Sequence, residues 1–390
     1  MYKITRTALE YVRKLGKQFR VVVITGPRQA GKTTLARAAF PKHDYVSLED
    51  PDARLLAESD PRGFLGKYPH GVILDEIQRV PSLLSYVQTE VDAVRRPGRF
   101  VLTGSSNLLM HAQVSQSLAG RACFFELPTL AMDELAFAKA APKSPEEAIF
   151  RGGYPEVTVE KIDPVAWYNA YLASYVERDV RQLIQVRDLA AFQRFLRLCA
   201  TRTGQLWNRT AVSADLGISI TAVDAWASAL QASYLIFFLQ PYHRNFGKRL
   251  TKSPKLYFCD PAVAARLLGL STSGQVRDNP LWGALFENFA VAEMRKSFLN
   301  RGLPAPIWFW RDHRGTEVDV VAEIGGKPCP VEIKAGRTVT ADWFTAMESW
   351  NKWSAGQGGP ASLVYGGATA DMWGGWCRLV PWNRASEAAE

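Results

Sequence analysis

Short apolar runs alternate with amphipathic stretches through the first third of the chain. Runs at residues 20–25, 45–48, 71–74, 99–103 and 122–127 predict strands. The first, third and fourth are apolar almost throughout, the pattern of parallel strands buried on both faces. Helical patterns separate them, which predicts an α/β domain with a parallel sheet. The first nineteen residues read as a charged amphipathic helix rather than a signal peptide.

Beyond this region the periodicity changes. Ala, Pro, Lys and Glu dominate residues 140–147, the composition of a linker or domain edge. Residues 167–198 are mostly helical in pattern. Residues 208–219 and 220–232 read as two short helices joined by a Gly-containing turn, a helix-turn-helix. Apolar strands at 234–240 and 255–259 flank a basic loop, which together suggest a winged helix. The last third predicts a helix at 285–298, strands at 307–311, 317–324 and 330–334, a helix at 341–353 and a strand at 361–365. Residues 386–390 read as a frayed end.

Composition narrows the class. The chain has 390 residues, 47% hydrophobic and 22% charged, which fits a globular protein of several domains. The longest apolar run, 234–239, is far too short to span a bilayer, so no membrane partner is expected. Five scattered cysteines without a CxxC pair argue against a disulfide framework or zinc site and fit a reducing cytoplasm. Net charge is +9, and residues 164–258 hold twelve Lys and Arg against five Asp and Glu. Such a basic block points to a polyanion, most simply nucleic acid, or to a solvated face opposite an acidic neighbour.

Gly26-Pro-Arg-Gln-Ala-Gly31-Lys32-Thr33, followed by Thr34, fits GxxxxGK[ST] between a strand and a helix. Backbone N–H groups of such a loop converge on phosphates, and the helix N-terminus adds its positive end. Lys32 is then expected at the β- and γ-phosphates of ATP, with the Thr33 hydroxyl on Mg2+. Asp75 and Glu76 end another apolar strand. Asp75 is placed to hold the magnesium, directly or through water, and Glu76 to polarise the attacking water. The strand at 99–103 delivers Gly-Ser-Ser-Asn107 beside them. This order resembles AAA-plus ATPases, which makes Asn107 or a neighbouring serine a γ-phosphate sensor. It also implies a ring, a hexamer, in which Arg121 or Arg178 is a finger, a lid sensor or a surface ion-pair residue.

Glu317-Val-Asp319 and Glu332-Ile-Lys334 lie on neighbouring strands joined at Gly325-Gly326. Alternation puts Glu332 and Lys334 on one face. An aspartate followed by ExK across a hairpin resembles the PD-(D/E)XK nuclease and Holliday-junction-resolvase core. That resemblance implies Asp319 and Glu332 as ligands of Mg2+ or Mn2+, Lys334 as the catalytic lysine and Glu287 as an accessory ligand. A solvated hairpin with alternating charges remains the other reading. The whole order, including Gly152-Gly-Tyr-Pro-Glu156 and Leu285-Phe-Glu-Asn288, also resembles a widespread prokaryotic family of ATP-binding proteins.

The expected organisation is an AAA-plus ATPase domain (1–143), a helical lid or linker (144–190), a winged helix (191–260) and a restriction-endonuclease-like α/β domain (261–390). Arg244, Lys248, Arg249, Lys252 and Lys255 are expected to grip the phosphates of branched or duplex DNA, since no acid interrupts residues 242–258. The rival expectation is a regulatory nucleotide switch that binds protein partners and carries an inert nuclease-like end.

Overall fold

The computed structural model describes residues 4–104, 118–174, 188–242, 253–354 and 356–390. Its chain forms two compact units, Met1–Leu130 with the short returns Ala232–Tyr234 and Leu299–Leu303, and the remainder from Ala131 onward.

The first unit is built on a parallel sheet of β1 (Val21–Thr25), β2 (Asp44–Ser47), β3 (Val72–Asp75), β4 (Phe100–Thr103) and β5 (Ala122–Glu126), in the order β2-β3-β4-β1-β5. Each expected strand is present within about a residue of its expected start. The continuous apolar runs have the anticipated cause. Val22 and Ile24 pack with Val12, Leu15, Leu35 and Ala36 of the helices Leu9–Gln18 and Lys32–Ala39. Val21 and Val23 face the other way, into a core with Leu83, Val87 and Val91 of the helix Leu83–Ala93. With all five strands parallel, the carboxyl ends of β1, β3 and β4 share one edge, where ligands of open α/β sheets bind.

In the second unit, the helices Arg209–Leu216 and Ile220–Ala232 form the expected helix-turn-helix. The Asn208 side chain accepts from Ala211 N at 3.1 Å, and Gly217 at φ 66° closes the first helix in the left-handed conformation. The strands β6 (Ile236–Leu239) and β7 (Lys255–Phe258) follow as an antiparallel pair. Two helices and an antiparallel strand pair thus follow one another along the chain.

The second unit also holds a six-stranded sheet in the order β12-β13-β11-β10-β9-β8. β8 (Ile307–Arg311), β9 (Glu317–Ile324) and β10 (Lys327–Lys334) run antiparallel, whereas β11 (Ala361–Tyr365) and β13 (Cys377–Pro381) run parallel to β10. Gly325 and Gly326, at φ 58° and 77°, make the tight β9–β10 turn that needs two positive φ values. Trp350 of the helix Thr345–Trp353 packs edge-on against Trp310 of β8 and Tyr242, beneath Val318 and Val321.

Three segments depart from expectation. The strand β12 (Asp371–Trp373) and β13 were not apparent in the pattern. The helix Pro145–Arg151 starts inside the segment read as a linker, with the Ser144 hydroxyl accepting from Glu147 N. Residues Trp382–Ala389 form short helical turns instead of fraying, because Ala385, Ala388 and Ala389 are buried. Among the described residues no helix is long and apolar enough to cross a membrane.

Trp350→Ala should destabilise the second unit by about 3–5 kcal/mol, since truncating a buried aromatic leaves a cavity. Scanning calorimetry should show one transition moving to lower temperature and a second, nucleotide-sensitive transition staying in place. A common shift of both transitions would contradict the two-unit division.

Candidate functional site

The loop after β1 owes its path to backbone freedom. Gly26 sits at φ 137°, where a Cβ would lie 2.2 Å from the Leu127 carbonyl oxygen. Gly31 at φ 92° turns the chain into the helix Lys32–Ala39, whose first turn carries Thr33 and the exposed Thr34. The buried Arg6 side chain donates to Ala30 O at 2.9 Å and Pro128 O at 2.8 Å, tying the loop to the chain beyond β5. Lys32 is buried and donates to the Gly26 and Pro27 carbonyls at 3.1 and 2.8 Å. Burial lowers its pKa, and the Glu76 and Asp75 carboxylates oppose that shift.

Asp75, at the end of β3, is the centre of this edge. Its Oδ1 accepts from the Thr33 hydroxyl at 3.0 Å and from the Thr103 hydroxyl, and its Oδ2 accepts from Tyr45 OH at 2.9 Å. Three elements beside its own strand therefore converge on one carboxylate. Burial, with the Asp75 charge behind it, pushes the Tyr45 phenol up to about 12. The Arg37 guanidinium lies 3.8 Å from the centre of the Tyr45 ring. Glu76 follows at φ 55°, a left-handed conformation that costs a non-glycine residue about 1–3 kcal/mol. Its N–H donates to Thr103 Oγ1 at 3.3 Å, and its carboxylate accepts from Gln78.

Sequence reasoning missed Tyr45 and Thr103. Thr103 had a usable signal, as the polar residue closing an apolar strand. Tyr45 had none, because an aromatic residue in a strand is ordinary.

Arg121 lies at the amino end of β5, since Val21 pairs with Ala122. That edge is opposite the phosphate loop, about 16 Å away along five strand residues. Its guanidinium grips Asp92 at 2.6 and 2.8 Å, which holds the Asp92 carboxyl below its ordinary value. In this arrangement Arg121 pairs with Asp92 and does not face the phosphate loop of its own chain. Asn107, Arg178, Arg244, Lys248, Arg249 and Lys252 lie outside the described residues.

The second unit brings the other predicted residues together. β9 and β10 pair with Val320 opposite Val331, which sets Asp319 beside Glu332. Asp319 Oδ2 accepts from Ile333 N at 2.8 Å. Lys334 reaches Glu332 at 2.5 Å and Asp319 at 3.9 Å. Glu332 Oε2 is buried and has no hydrogen-bond partner among the described residues. Glu287 accepts from Lys255 at 2.8 Å and from Tyr257 OH at 2.5 Å through the same oxygen. Lys255 is the clear correction. It is 2% exposed and forms ion pairs with Glu287 and Glu317, so it cannot grip DNA from a wing surface. β7 is buried along its whole length, Lys255 included, which a count of basic residues does not register. Among the described residues no group of three or more His, Cys, Asp or Glu is arranged to hold a metal ion, so Glu287 does not join Asp319 and Glu332 in one ligand set.

Burial raises the carboxyls of Glu287 and Glu332 above the ordinary range. It raises Asp319 to about 7, with the Glu332 charge adding to the effect and Lys255 and Lys334 opposing it. A carboxyl raised on folding contributes stability below its unfolded pKa, and that contribution fades as pH rises through the folded value. Asp319→Asn should therefore raise the melting temperature of the second unit at pH 8, with chelator present, more than at pH 5. An equal effect at both pH values would contradict this assignment.

Residues 18–136 match the AAA domain family, while residues 143–274 and 282–384 match two domains of unknown function, DUF8612 and DUF4143. The chain is 31% identical over 349 residues to Uncharacterized protein Rv2008c of Mycobacterium tuberculosis, covering 88% of this chain and 76% of that protein. The same values hold for Uncharacterized protein Mb2031c of Mycobacterium bovis. Among solved structures, the Walker-type ATPase PABY2304 of Pyrococcus abyssi is similar at 15% identity and a TM-score of 0.47, over 68% of this chain and 96% of that one. The chain belongs to the family of the two mycobacterial proteins, and its first unit is an AAA-like P-loop ATPase domain.

Proposed function

We propose that the chain couples ATP hydrolysis in its first unit to the processing of branched or duplex DNA by its second, including metal-dependent cleavage. In this reading Lys32 contacts the β- and γ-phosphates, Thr33 and Asp75 hold Mg2+, and Glu76 orients the attacking water. The winged-helix hairpin, with Arg244, Lys248, Arg249 and Lys252 between its strands, binds the DNA backbone. Assembly into a ring, a hexamer, with Arg121 or Arg178 reaching a neighbour's nucleotide, belongs to the same proposal.

The observation that carries the DNA-processing reading is the Asp319–Glu332–Lys334 group. Glu332 Oε2 is buried with no donor among the described residues, beside a second carboxylate and a lysine that is one third exposed. An acceptor left in that position suits a divalent cation with oxygen ligands. Magnesium or manganese would offset charge on a phosphodiester there, while Lys334 positions the attacking water. A second reading, the nucleotide switch with an inert C-terminal end, draws on one specific observation. Lys255 already occupies the space between Glu287 and Glu317 as an ion-pair partner of both.

Labelled four-way, forked and duplex DNA, with ATP and Mg2+ or Mn2+, would decide between the two. Lys32→Ala and Glu76→Gln should each lower ATP turnover by about 100-fold or more, with Glu76→Gln retaining nucleotide binding. Asp319→Asn and Lys334→Ala should abolish cleavage and leave ATP hydrolysis intact. DNA binding should weaken with rising salt, as counterion release requires. Tight, salt-dependent binding with no cleavage under either metal would favour the switch.

A further inference from the structure

The second unit holds four carboxylates within one cluster, Glu287, Glu317, Asp319 and Glu332, and they are not compensated evenly. Lys255 spans Glu287 and Glu317. Arg311 adds a second cation to Glu317 at 3.0 Å, and Tyr257 adds a second donor to Glu287. Asp319 and Glu332 have Lys334 as the cation within ion-pair distance, Lys255 acts on Asp319 from further away, and among the described residues no donor reaches Glu332 Oε2. The cluster is thus divided into a saturated half and an under-compensated half.

The saturated half has the geometry that a bound cation gives to carboxylates. Two acids from different elements, one on the helix Trp282–Asn300 and one on β9, converge on a single buried centre of positive charge. Lys255 arrives there from β7, fixed by its strand pairing with Leu239. Its Nζ lies over the Phe309 ring, 5.7 Å from the ring centre. An ammonium so placed is a permanent ligand of both acids. It cannot be exchanged with solvent, because the side chain is 2% exposed.

We propose that Lys255 is a built-in cation that occupies the place between Glu287 and Glu317 and keeps a divalent metal ion out of it. Metal binding in this unit is thereby confined to the Asp319–Glu332 half. Lys255 is then a specificity-determining residue for how many cations the cluster takes. This rests on the proposed metal chemistry of the cluster only for its consequence, not for the exclusion itself.

The test is the count of Mn2+ ions bound by the full-length chain without nucleotide, read from the free-Mn2+ paramagnetic resonance signal. Lys255→Met should bind about one more Mn2+ per chain than the wild type, because two released carboxylates on a buried centre suit a hard cation. The gain should persist in Lys255→Met with Asp319→Asn and vanish in Lys255→Met with Glu287→Gln. Lys255→Gln provides a neutral, hydrogen-bonding variant in case the methionine form does not fold, with circular dichroism as the check. No gain in the folded variant, or a gain that survives Glu287→Gln, overturns the inference. The proposed metal centre fails separately, if Asp319→Asn in the wild-type background leaves the Mn2+ count unchanged.

Discussion

The Asp75 carboxylate is the constraint around which the ATPase unit is arranged. A carboxylate this buried needs donors, and here they are hydroxyls: Thr33 from the phosphate loop, Tyr45 from β2 and Thr103 from β4. Hydroxyls orient the carboxylate without neutralising it. Lys32, close enough to feel both Asp75 and Glu76, is turned onto the carbonyls of its own loop. The result is an anionic centre with fixed geometry at the carboxyl edge of a parallel sheet. The sheet order makes this arrangement possible, since β4 lies between β1 and β3 and delivers Thr103 beside both.

The second unit meets a similar electrostatic problem differently. There, two lysines enter the carboxylate cluster, burial and then the Glu332 charge raise the Asp319 carboxyl, and Glu332 Oε2 has no hydrogen-bond partner among the described residues. Groups whose ionisation is disturbed by burial and by a specific neighbour concentrate at functional sites, although structural ion-pair networks disturb them as well. The distinction here lies in the two halves. Glu287 and Glu317 share the buried Lys255, whereas the cation beside Asp319 and Glu332, Lys334, is one third exposed.

Much of the fold was legible because burial on both faces leaves a plain trace. Strands β1, β3 and β4 are apolar at consecutive positions, and the phosphate loop follows the first of them. The β9–β10 turn was legible from Gly325-Gly326, and the Asp319–Glu332 juxtaposition from strand alternation. Other features depend on neighbours that local pattern does not encode. Lys255 reads as part of a basic surface, although its whole strand is buried. Tyr45 gains its role from an aspartate thirty residues away. Strand β12 is three exposed residues long, too short for a periodic signal. The terminal alanines are buried by the sheet they rest on, not by any apolar run of their own.

The central claim is that the hydroxyl-held Asp75 is where magnesium joins the nucleotide. Its most direct test is the affinity for ATP, by calorimetric titration, as free Mg2+ is varied in the wild type, Tyr45→Phe and Thr103→Val. Each variant removes one donor to Asp75 and leaves the phosphate loop intact. The account predicts that ATP binding in chelator is unchanged, while the Mg2+ concentration for half-maximal enhancement rises about 10-fold or more, since one lost hydrogen bond to a charged group is worth about 1.5–3 kcal/mol. An unaltered Mg2+ dependence in both variants, with ATP affinity reduced equally with and without the metal, would contradict it.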